Sequence, residues 1–554
     1  MDEGAPGLGY AATLLWRMAF PNVKVSRPAA GIRFDRDVPV PLRDGTTLRA
    51  NVFRPDCAGR FPVLMNAHPY GKDVLPRRTP MGYLPLKRYR FIRQPDLVRY
   101  SAYTAWESPD PSYWVPRGYV VISLDLRGFG TSEGVGTLLS DEEASDYAEA
   151  IQWAAAQPWS QGKVGLNGVS YLTISQWKVA ALRPASLAAI CCWEGWSDVY
   201  HDAAYPGGVR EDGFMPFWAS MTERAGRVRG SLRDAQLAHP DWDDFWAGLV
   251  PDLERIEVPA LICASFSDQG LHARGCFEAY RRISSEYRYL FTHRGGKWSI
   301  YYSPESLALQ NRFFDCFLKG EENGMRDTDP VRVEVREQRD RVHSVRMERS
   351  WPPSSVEWTR FWLAPNEMRE QPLETSVTAR FDAPEGGVSF TLPVPADIEL
   401  TGPMKLKLHV ELIGGSDAYL FVAVRKFRGR RHICFEGSFG FGRDVVSRGW
   451  LRVAHRRIDE TRSEPYRPFH PCDRPEPVIA GQVVPVEIEL LPSSTMFRRG
   501  ELLRVDVQGH WFWKRNMLFG TFPGDYMASP AATVVLHLGG SADSYLLVPR
   551  IVSA

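Results

Sequence analysis

A polar segment at residues 320–330, "GEENGMRDTDP", separates two parts of the chain that differ in hydrophobic pattern. Before it, short continuous apolar runs such as "GYVVISLDLRG" alternate with segments of helical periodicity. After it, short segments alternate apolar and polar residues, as in "MKLKLHVEL" and "ATVVLHLG". Continuous apolar runs are typical of strands buried in a parallel sheet, whereas alternation is typical of strands with one buried face. The sequence therefore predicts an α/β domain followed by an all-β domain of the jelly-roll type.

Length and charge limit the classes of protein to consider. The chain has 554 residues, more than one ordinary hydrophobic core accommodates, and we expect two or three domains. Its net charge of +1 shows no basic excess that would indicate a nucleic-acid or membrane partner. The N-terminal "MDEGAPGLGY" lacks the basic and apolar regions of a secretory signal, and no apolar run approaches the roughly 20 residues of a membrane span. We therefore expect a soluble, cytoplasmic protein.

The cysteines carry little functional information. There are eight of them, with neither a C-x-x-C pair nor a spacing typical of metal ligands. Small buried thiols are common in reducing compartments. We therefore expect reduced and mostly buried cysteines, and no metal site built from them.

Two serine motifs are candidates for a nucleophile. Ser132 lies in "GTSEG", a literal G-x-S-x-G, which is the pattern of the α/β-hydrolase nucleophile elbow, whereas Ser170 lies in "GVSYL" and lacks the last glycine. The elbow requires a strand directly before the serine and a helix directly after it. Only Ser170 meets this requirement, between "KVGLN" and "YLTISQWKVAALRP". The glycines around Ser132 indicate a loop with unusual backbone angles, so we predict Ser170 as the nucleophile.

An aromatic-rich segment follows this turn. Residues 193–250 contain many Trp, Tyr and Phe residues and lack strand patterns. An insertion between the serine and the next predicted strand, "VPALICASFSD", would lie over the carboxyl ends of the strands, where such sheets bind ligands. We expect a helical cap there, whose aromatic residues either line a substrate site or pack among themselves.

An acid and a base follow at the ends of later predicted strands. Asp268 comes after "ALICASFS", and His293 comes after "YRYLFT". Acyl transfer to water needs a nucleophile, a base and a group that orients the base, and α/β-hydrolases supply them in the order Ser, acid, His. The order predicts a triad of Ser170, Asp268 and His293. His272 is a rival base, but it lies only four residues after Asp268, and we expect that one loop could not place both groups.

Several stretches together resemble one family. "DLRGFGTSEG", "GLNGVSYLTISQW", "PALICASFSDQG" and "FTHRGGKW" resemble the CocE/NonD family of hydrolases, which is related to the X-Pro dipeptidyl-peptidases of peptidase family S15. "RGWLRVAHRRID" and "FRRGELLRVDV" resemble the C-terminal motifs of that family, so the resemblance covers most of the chain. It implies an α/β-hydrolase domain at residues 1–190 and 255–322, a helical cap at 191–254 and a jelly-roll at 323–554.

The resemblance also implies the parts of an active site. It implies Ser170, Asp268 and His293 as the triad, and it implies that the enzyme uses neither a metal nor a cofactor. Tyr70 in "NAHPYGKD" matches the tyrosine whose hydroxyl belongs to the family's oxyanion hole. The N–H of Tyr171 is the second donor, since the residue after the nucleophile has this role in the fold.

Two positions depart from the family's pattern. Thr173 stands where a glycine is usual, so the helix after the turn must accommodate a β-branched residue. His293 lies in "THRGGKW" and not in the "WSH" of some members. The first departure concerns the shape of the turn, and the second concerns the identity of the base.

These observations predict a serine hydrolase that cleaves a small carboxylic ester through an acyl-enzyme. One alternative is an amidase or peptidase of the X-Pro dipeptidyl-peptidase type. Such an enzyme would bind a substrate amine through a carboxylate near the cap, for which Glu194, Asp198 and Asp202 are candidates. Another alternative is a non-catalytic carbohydrate-binding protein that uses the jelly-roll. The natural substrate, the acyl-chain preference and homo-oligomerisation stay open.

Overall fold

The computed structural model describes residues 12, 15, 16, 19–90, 92, 94–437, 439, 442–513 and 524–552. The segment "MDEGAPGLGY", on which the expectation about a secretory signal rests, lies outside the described residues. Among the helices that are described, none combines the length and the apolar character needed to cross a membrane.

A mixed sheet forms the centre of the N-terminal half. Its strands are β1 (Ile32–Pro41), β2 (Thr47–Pro55), β3 (Phe61–His68), β4 (Val120–Asp125), β5 (Ser160–Val169), β6 (Leu187–Trp193), β7 (Ala260–Ser265) and β8 (Arg288–His293). They lie in the order β1-β2-β4-β3-β5-β6-β7-β8. The first two pairs in this order are antiparallel, and the following pairs are parallel. The apolar run predicted as a buried strand is β4, and each of its residues is buried, as expected for an inner parallel strand.

Helices connect these strands. The described α-helices of this half are α1 (Pro111–Trp114), α2 (Asp141–Ala155), α3 (Tyr171–Ala181), α4 (Phe214–Glu223), α5 (Leu232–Ala238), α6 (Asp244–Leu249), α7 (Ala273–Arg282), α8 (Lys297–Tyr301) and α9 (Pro304–Phe314). Ser140 caps α2 by accepting the N–H of Glu143 at 3.1 Å, while the Glu143 carboxylate accepts the N–H of Leu139 at 3.1 Å. The capping box is therefore formed with its return bond shifted by one residue.

The insertion between β6 and β7 is helical, with α4, α5 and α6 as its main elements. Strand β6 extends to Trp193, so residues 191–193 belong to the sheet and not to the predicted cap. The sequence patterns did not identify this strand. Trp196, Trp218 and Trp246 of the insertion are buried, so part of its aromatic content serves packing.

The C-terminal half is built from strands, as predicted. Strand β9 (Val331–Gln338) pairs in parallel with β8, which joins the two halves through one continuous set of hydrogen bonds. The jelly-roll arrangement stays a prediction. The further described strands after β9 are Arg341–Glu348, Val356–Ala364, Glu367–Arg369, Val377–Ala383, Gly387–Pro393, Ile398–Ile413, Tyr419–Arg428, Arg431–Ile433, Ser447–Arg452, Val484–Phe497, Glu501–Gln508, Ala532–Leu538 and Tyr545–Ile551.

Residues of the C-terminal half bind the loops that follow β7 and β8. Arg294 is fully buried, and its guanidinium donates to the Val446 carbonyl at 2.9 Å. The Gln269 side chain donates to the same carbonyl at 3.2 Å, and Arg448 donates to the Gln269 carbonyl. Both loops are therefore held by one segment of the C-terminal half.

The "GTSEG" stretch forms a structural turn. Gly130 has a φ of +51°, and a Cβ atom at this position would lie 2.0 Å from the Asp125 carboxylate. Ser132 is fully buried, and its hydroxyl donates to the Asp125 carbonyl at 2.7 Å and accepts the Arg49 N–H at 2.8 Å. Its hydroxyl therefore joins β2 to the end of β4, which agrees with the prediction that Ser132 is part of a loop.

We expect Ser132→Ala to destabilise the protein, because the Arg49 N–H then lies in the interior without an acceptor. The expected loss in the free energy of unfolding is about 1–3 kcal/mol, measured by denaturant titration. Ser354 is exposed, and Ser354→Ala is the control, with an expected change within about 0.5 kcal/mol. Equal stability of wild type and Ser132→Ala would contradict this role.

Candidate active site

Ser170 lies on a sharp turn between a strand and a helix. Strand β5 ends at Val169, and α3 begins at Tyr171. Ser170 has a φ of +59°, a backbone region that residues other than glycine rarely adopt. Its N–H donates to the carbonyls of Trp193 and Glu194, each at 3.0 Å, which ties the turn to the end of β6. The surroundings thus hold a strained residue in place, as is common at functional sites.

Thr173 fits into the turn because a glycine lies opposite. Its hydroxyl donates to the Gly168 carbonyl at 2.9 Å and to the Trp193 carbonyl at 3.1 Å. Its methyl group packs against Gly195, where an added Cβ atom would lie only 2.6 Å away. The departure from the family's pattern at Thr173 is therefore accommodated by the absence of a side chain at Gly195.

The structure brings His272 to Ser170. The Ser170 hydroxyl oxygen lies 3.3 Å from His272 Nε2, and Nδ1 of the same ring is hydrogen-bonded to the Asp268 carboxylate. The His272 N–H also donates to the Asp268 carbonyl at 3.3 Å. The chain thus turns before α7 begins, and residues four apart then face each other as on a helix. The expectation that one loop could not place both groups is wrong.

His293 lies at the end of β8, as predicted, but the structure does not bring it to Ser170. Its Nε2 donates to the Glu194 carboxylate at 3.1 Å, and its Nδ1 accepts the Gly295 N–H at 3.1 Å. The side chain is fully buried, and both ring nitrogens are occupied by these groups. The structure therefore brings His272, and not the predicted His293, to the Ser170 hydroxyl. The four-residue spacing of Asp268 and His272 is the feature of the sequence that indicates their contact, because residues four apart face each other on a helical turn.

Sequence reasoning missed Lys297 altogether. This buried lysine at the start of α8 has its Nζ atom 2.6 Å from Asp268 Oδ2 and 2.8 Å from His272 Nδ1. The Glu194 carboxylate is 4.0 Å away. Burial disfavours the ammonium form, but Asp268 and Glu194 outweigh this effect and raise the pKa of Lys297. Lys297 is therefore a protonated lysine beside the acid and the base.

These charges determine the protonation of the histidine and the aspartate. Burial lowers the pKa of His272, and the Lys297 ammonium lowers it further, while Asp268 opposes both. Burial by itself would raise the pKa of Asp268, but Lys297 and His272 together hold that pKa well below its usual value. A neutral imidazole with its Nε2 atom toward a serine hydroxyl is suited to accept that hydroxyl's proton.

Tyr70 lies after β3 and adjoins the nucleophile. Its hydroxyl is within hydrogen-bonding reach of the Ser170 side chain and accepts the indole N–H of Trp218 at 3.1 Å. Because the hydroxyl accepts from Trp218, its own proton is free for another acceptor. Burial raises the pKa of Tyr70 above its usual value, so the phenol stays a neutral donor. Trp218 belongs to α4, and the helical insertion thus contacts the site directly.

Tyr171 offers a backbone donor at the same serine. As the first residue of α3, it has no preceding helical turn whose carbonyl could accept its N–H. Its side chain points elsewhere, and the hydroxyl donates to the Glu143 carboxylate at 2.6 Å. The Tyr70 hydroxyl and the backbone N–H of Tyr171 therefore both lie next to Ser170.

The acidic residues considered for binding a substrate amine are buried and engaged by the protein. Glu194 accepts from His293, as described above. Asp198 is 2.7 Å from His201 Nδ1. Asp202 is 2.9 Å from Arg274, and it also accepts the N–H of Asp198 at 2.9 Å. Each of these carboxylates thus has a partner within the chain.

One group of side chains has the composition of a metal site. Atoms of Glu194, Cys263 and His293 lie within 4.8 Å of one another, and all three residues are buried. However, His293 Nε2 donates to Glu194, and burial raises the pKa of the Cys263 thiol well above its usual value. A metal needs a thiolate and a free imidazole lone pair, so these residues do not fit a metal ion well.

Comparisons with known proteins agree with this organisation. The family model for X-Pro dipeptidyl-peptidase (S15 family) matches residues 44–296, and the model for the X-Pro dipeptidyl-peptidase C-terminal non-catalytic domain matches residues 323–547. A solved CocE/NonD family hydrolase from Staphylococcus aureus is 36% identical, with a TM-score of 0.88, and the match covers 96% of this chain and 99% of that chain.

Curated relatives are named for both activities that the sequence suggested. Cocaine esterase of a Rhodococcus species is 25% identical over 93% of this chain and 98% of its own length. A putative Xaa-Pro dipeptidyl-peptidase of Rhodopirellula baltica is 22% identical, with 80% of this chain and 76% of that protein covered. The matches include the strand–serine–helix turn at Ser170 and the β-rich half that follows it. This chain therefore belongs to the CocE/NonD and S15 family and is a serine hydrolase.

Proposed function

We propose that this protein is a carboxylic ester hydrolase whose triad is Ser170, His272 and Asp268. The observation that carries the proposal is the continuous contact from the Ser170 hydroxyl to His272 Nε2, at 3.3 Å, and from His272 Nδ1 to Asp268. This is the geometry in which a histidine accepts a serine proton while a carboxylate fixes its tautomer.

The reaction proceeds through an acyl-enzyme. His272 takes the proton of Ser170, and the serine oxygen attacks the carbonyl carbon of the ester. Collapse of the tetrahedral intermediate breaks the bond to the alcohol oxygen, which receives the proton from His272. A water molecule then repeats the two steps on the acyl-enzyme, and the acid is released.

The negative charge of the tetrahedral intermediate requires hydrogen-bond donors. Tyr70 is one of them, because the Trp218 N–H already occupies an acceptor position of its hydroxyl at 3.1 Å and leaves the phenol proton available. The Tyr171 N–H is the other, since the first N–H groups of a helix lack partners within the helix. Both donors adjoin Ser170 in sequence or in space.

Ester substrates are favoured over peptides with a free amine. The carboxylates near the insertion that could bind such an amine are engaged by His293, His201 and Arg274. Aromatic side chains stand next to the base instead. The Trp196 ring is stacked on His272 at 5.7 Å and contacts Trp218 at 5.3 Å. These rings favour a substrate with an apolar or ring-bearing part.

Replacement of the two histidines separates the competing assignments of the base. We expect Ser170→Ala and His272→Asn to lower kcat for p-nitrophenyl butyrate by about a thousandfold or more, because each removes a group that acts on the reacting proton. His293→Asn should lose less than about tenfold. Labelling by a fluorophosphonate probe should disappear in Ser170→Ala, and circular dichroism checks that each variant is folded. A folded His293→Asn without activity, beside an active His272→Asn, would restore the original assignment.

The pH dependence of the reaction tests Lys297. The Lys297 ammonium lowers the pKa of His272, and Asp268 and Glu194 oppose it. Since only the neutral imidazole accepts the serine proton, Lys297 keeps the enzyme active to lower pH. Lys297→Met should therefore raise the pKa of His272 and move the acidic limb of kcat/KM to higher pH.

Two further variants control this measurement. Lys297→Arg retains the positive charge, and its acidic limb should stay closer to that of the wild type. Lys24 is an exposed lysine, and Lys24→Met should leave the profile unchanged. An acidic limb at the wild-type position in Lys297→Met would show that Lys297 does not act on His272.

A further inference from the structure

Arg88 is a cation next to Tyr70 and has no polar partner among the described residues. It lies in a short 3-10 helix, Lys87–Arg90, and is half-buried. Its guanidinium carbon is 4.3 Å from the centre of the Tyr70 ring and 5.3 Å from the centre of the Trp106 ring. Within the described part of the chain, the guanidinium makes neither a hydrogen bond nor an ion pair.

Two other half-buried arginines of the N-terminal half have carboxylate partners. Arg127 binds both carboxylate oxygens of Asp146, and Arg274 binds Asp202 and Glu489. At Arg88, burial opposes the charge and lowers the pKa of the side chain. Aromatic rings stabilise a guanidinium through its flat faces, but its N–H groups point along the edges and still require acceptors.

Glu107 is an acidic residue whose charge acts on Arg88, but its carboxylate makes neither a hydrogen bond nor an ion pair with the guanidinium. Glu107 Oε1 accepts the Trp298 indole N–H at 3.2 Å, while Oε2 is buried without a partner among the described residues. Burial raises the pKa of Glu107 to about 8, although Lys297 and Arg88 oppose this effect. Burial thus favours the uncharged form of Glu107, and neither of its carboxylate oxygens is hydrogen-bonded to Arg88.

The charged groups on the two sides of Ser170 differ in whether an opposite charge already lies beside them. On the side of Asp268 and Glu194, Lys297 already supplies an ammonium group. A substrate amine would have to compete with this internal cation. On the side of Tyr70, the described residues supply a cation, Arg88, to which no carboxylate is hydrogen-bonded. The missing group is therefore an anion next to Tyr70.

We propose that Arg88 binds a carboxylate of the substrate, so that the enzyme prefers esters that carry an acidic group close to the scissile bond. The inference rests on the proposed ester hydrolysis and defines its substrate class. The Tyr70 ring links the two roles, because its hydroxyl adjoins Ser170 while its face contacts Arg88. A planar guanidinium binds a carboxylate through two parallel hydrogen bonds, which a lysine cannot do.

Matched pairs of esters test the preference and show which side of the ester bears the acid. Mono-p-nitrophenyl glutarate is compared with p-nitrophenyl pentanoate, in which the acyl group lacks the acid. Para-acetoxybenzoate is compared with its carboxamide, in which the leaving group lacks the acid. The readout is the ratio of kcat/KM for the acidic ester to that for its neutral partner.

We expect this ratio to favour the acidic ester of one pair in the wild type. Arg88→Met should lower the ratio for that pair roughly 10- to 100-fold, mainly through KM, because a charge-assisted contact is lost. Arg88→Lys should give an intermediate ratio. Arg90 lies in the same short helix and is exposed, and Arg90→Met should keep the wild-type ratio.

Binding to an inactive variant separates this inference from the esterase proposal. Ser170→Ala is titrated with glutarate and with benzoate by calorimetry, and the double variant Ser170→Ala with Arg88→Met is titrated in parallel. Binding that disappears in the double variant supports the Arg88 site even if no ester is cleaved. Hydrolysis of the neutral esters with equal ratios in wild type and Arg88→Met overturns the Arg88 site and leaves the esterase intact. A preference for alanine p-nitrophenyl ester that Glu107→Gln abolishes also overturns it, because the charged subsite then binds an amine.

Discussion

The candidate site depends on the contacts of the Asp268 carboxylate with His272 and Lys297. This carboxylate is fully buried after β7. A carboxylate in this position is stable because its partners, His272 and Lys297 among them, offset its loss of water. The contact with Asp268 orients the His272 ring toward Ser170, whereas burial and Lys297 favour the neutral imidazole against the effect of Asp268. One buried charge thus determines the position of the base.

The rest of the structure supports this carboxylate from two sides. The turn from Asp268 to α7 is held by Gln269, which binds the Val446 carbonyl in the C-terminal half. Arg294, in the loop that leads to Lys297, binds the same carbonyl. The C-terminal half therefore helps to position Asp268 and Lys297. It supplies none of the groups that we propose for the reaction. On the other side, the insertion reaches the nucleophile through the contact of Trp218 with Tyr70.

The family resemblance and the strand ends led to most of the site but not to the base. Ser170 and Asp268 follow strands directly, and the direction of a parallel strand determines the edge at which its last residue emerges. His293 satisfies the same rule, yet its ring binds Glu194 and not the serine. The rule specifies which edge a residue occupies, but the direction of the side chain depends on the neighbours that compete for it. At His293, Glu194 and the Gly295 N–H are those neighbours.

The sequence by itself determined the architecture, because periodicity and turn residues are local properties. It separated the α/β half from the β-rich half, and it distinguished Ser170, on a strand–helix turn, from the loop serine at Ser132. Only the tertiary structure decided which histidine faces Ser170, and it alone revealed Lys297 and Arg88. Contacts with residues distant in the chain place them, with Ser170 for His272, Asp268 for Lys297 and Tyr70 for Arg88. Only the spacing of Asp268 and His272 is local.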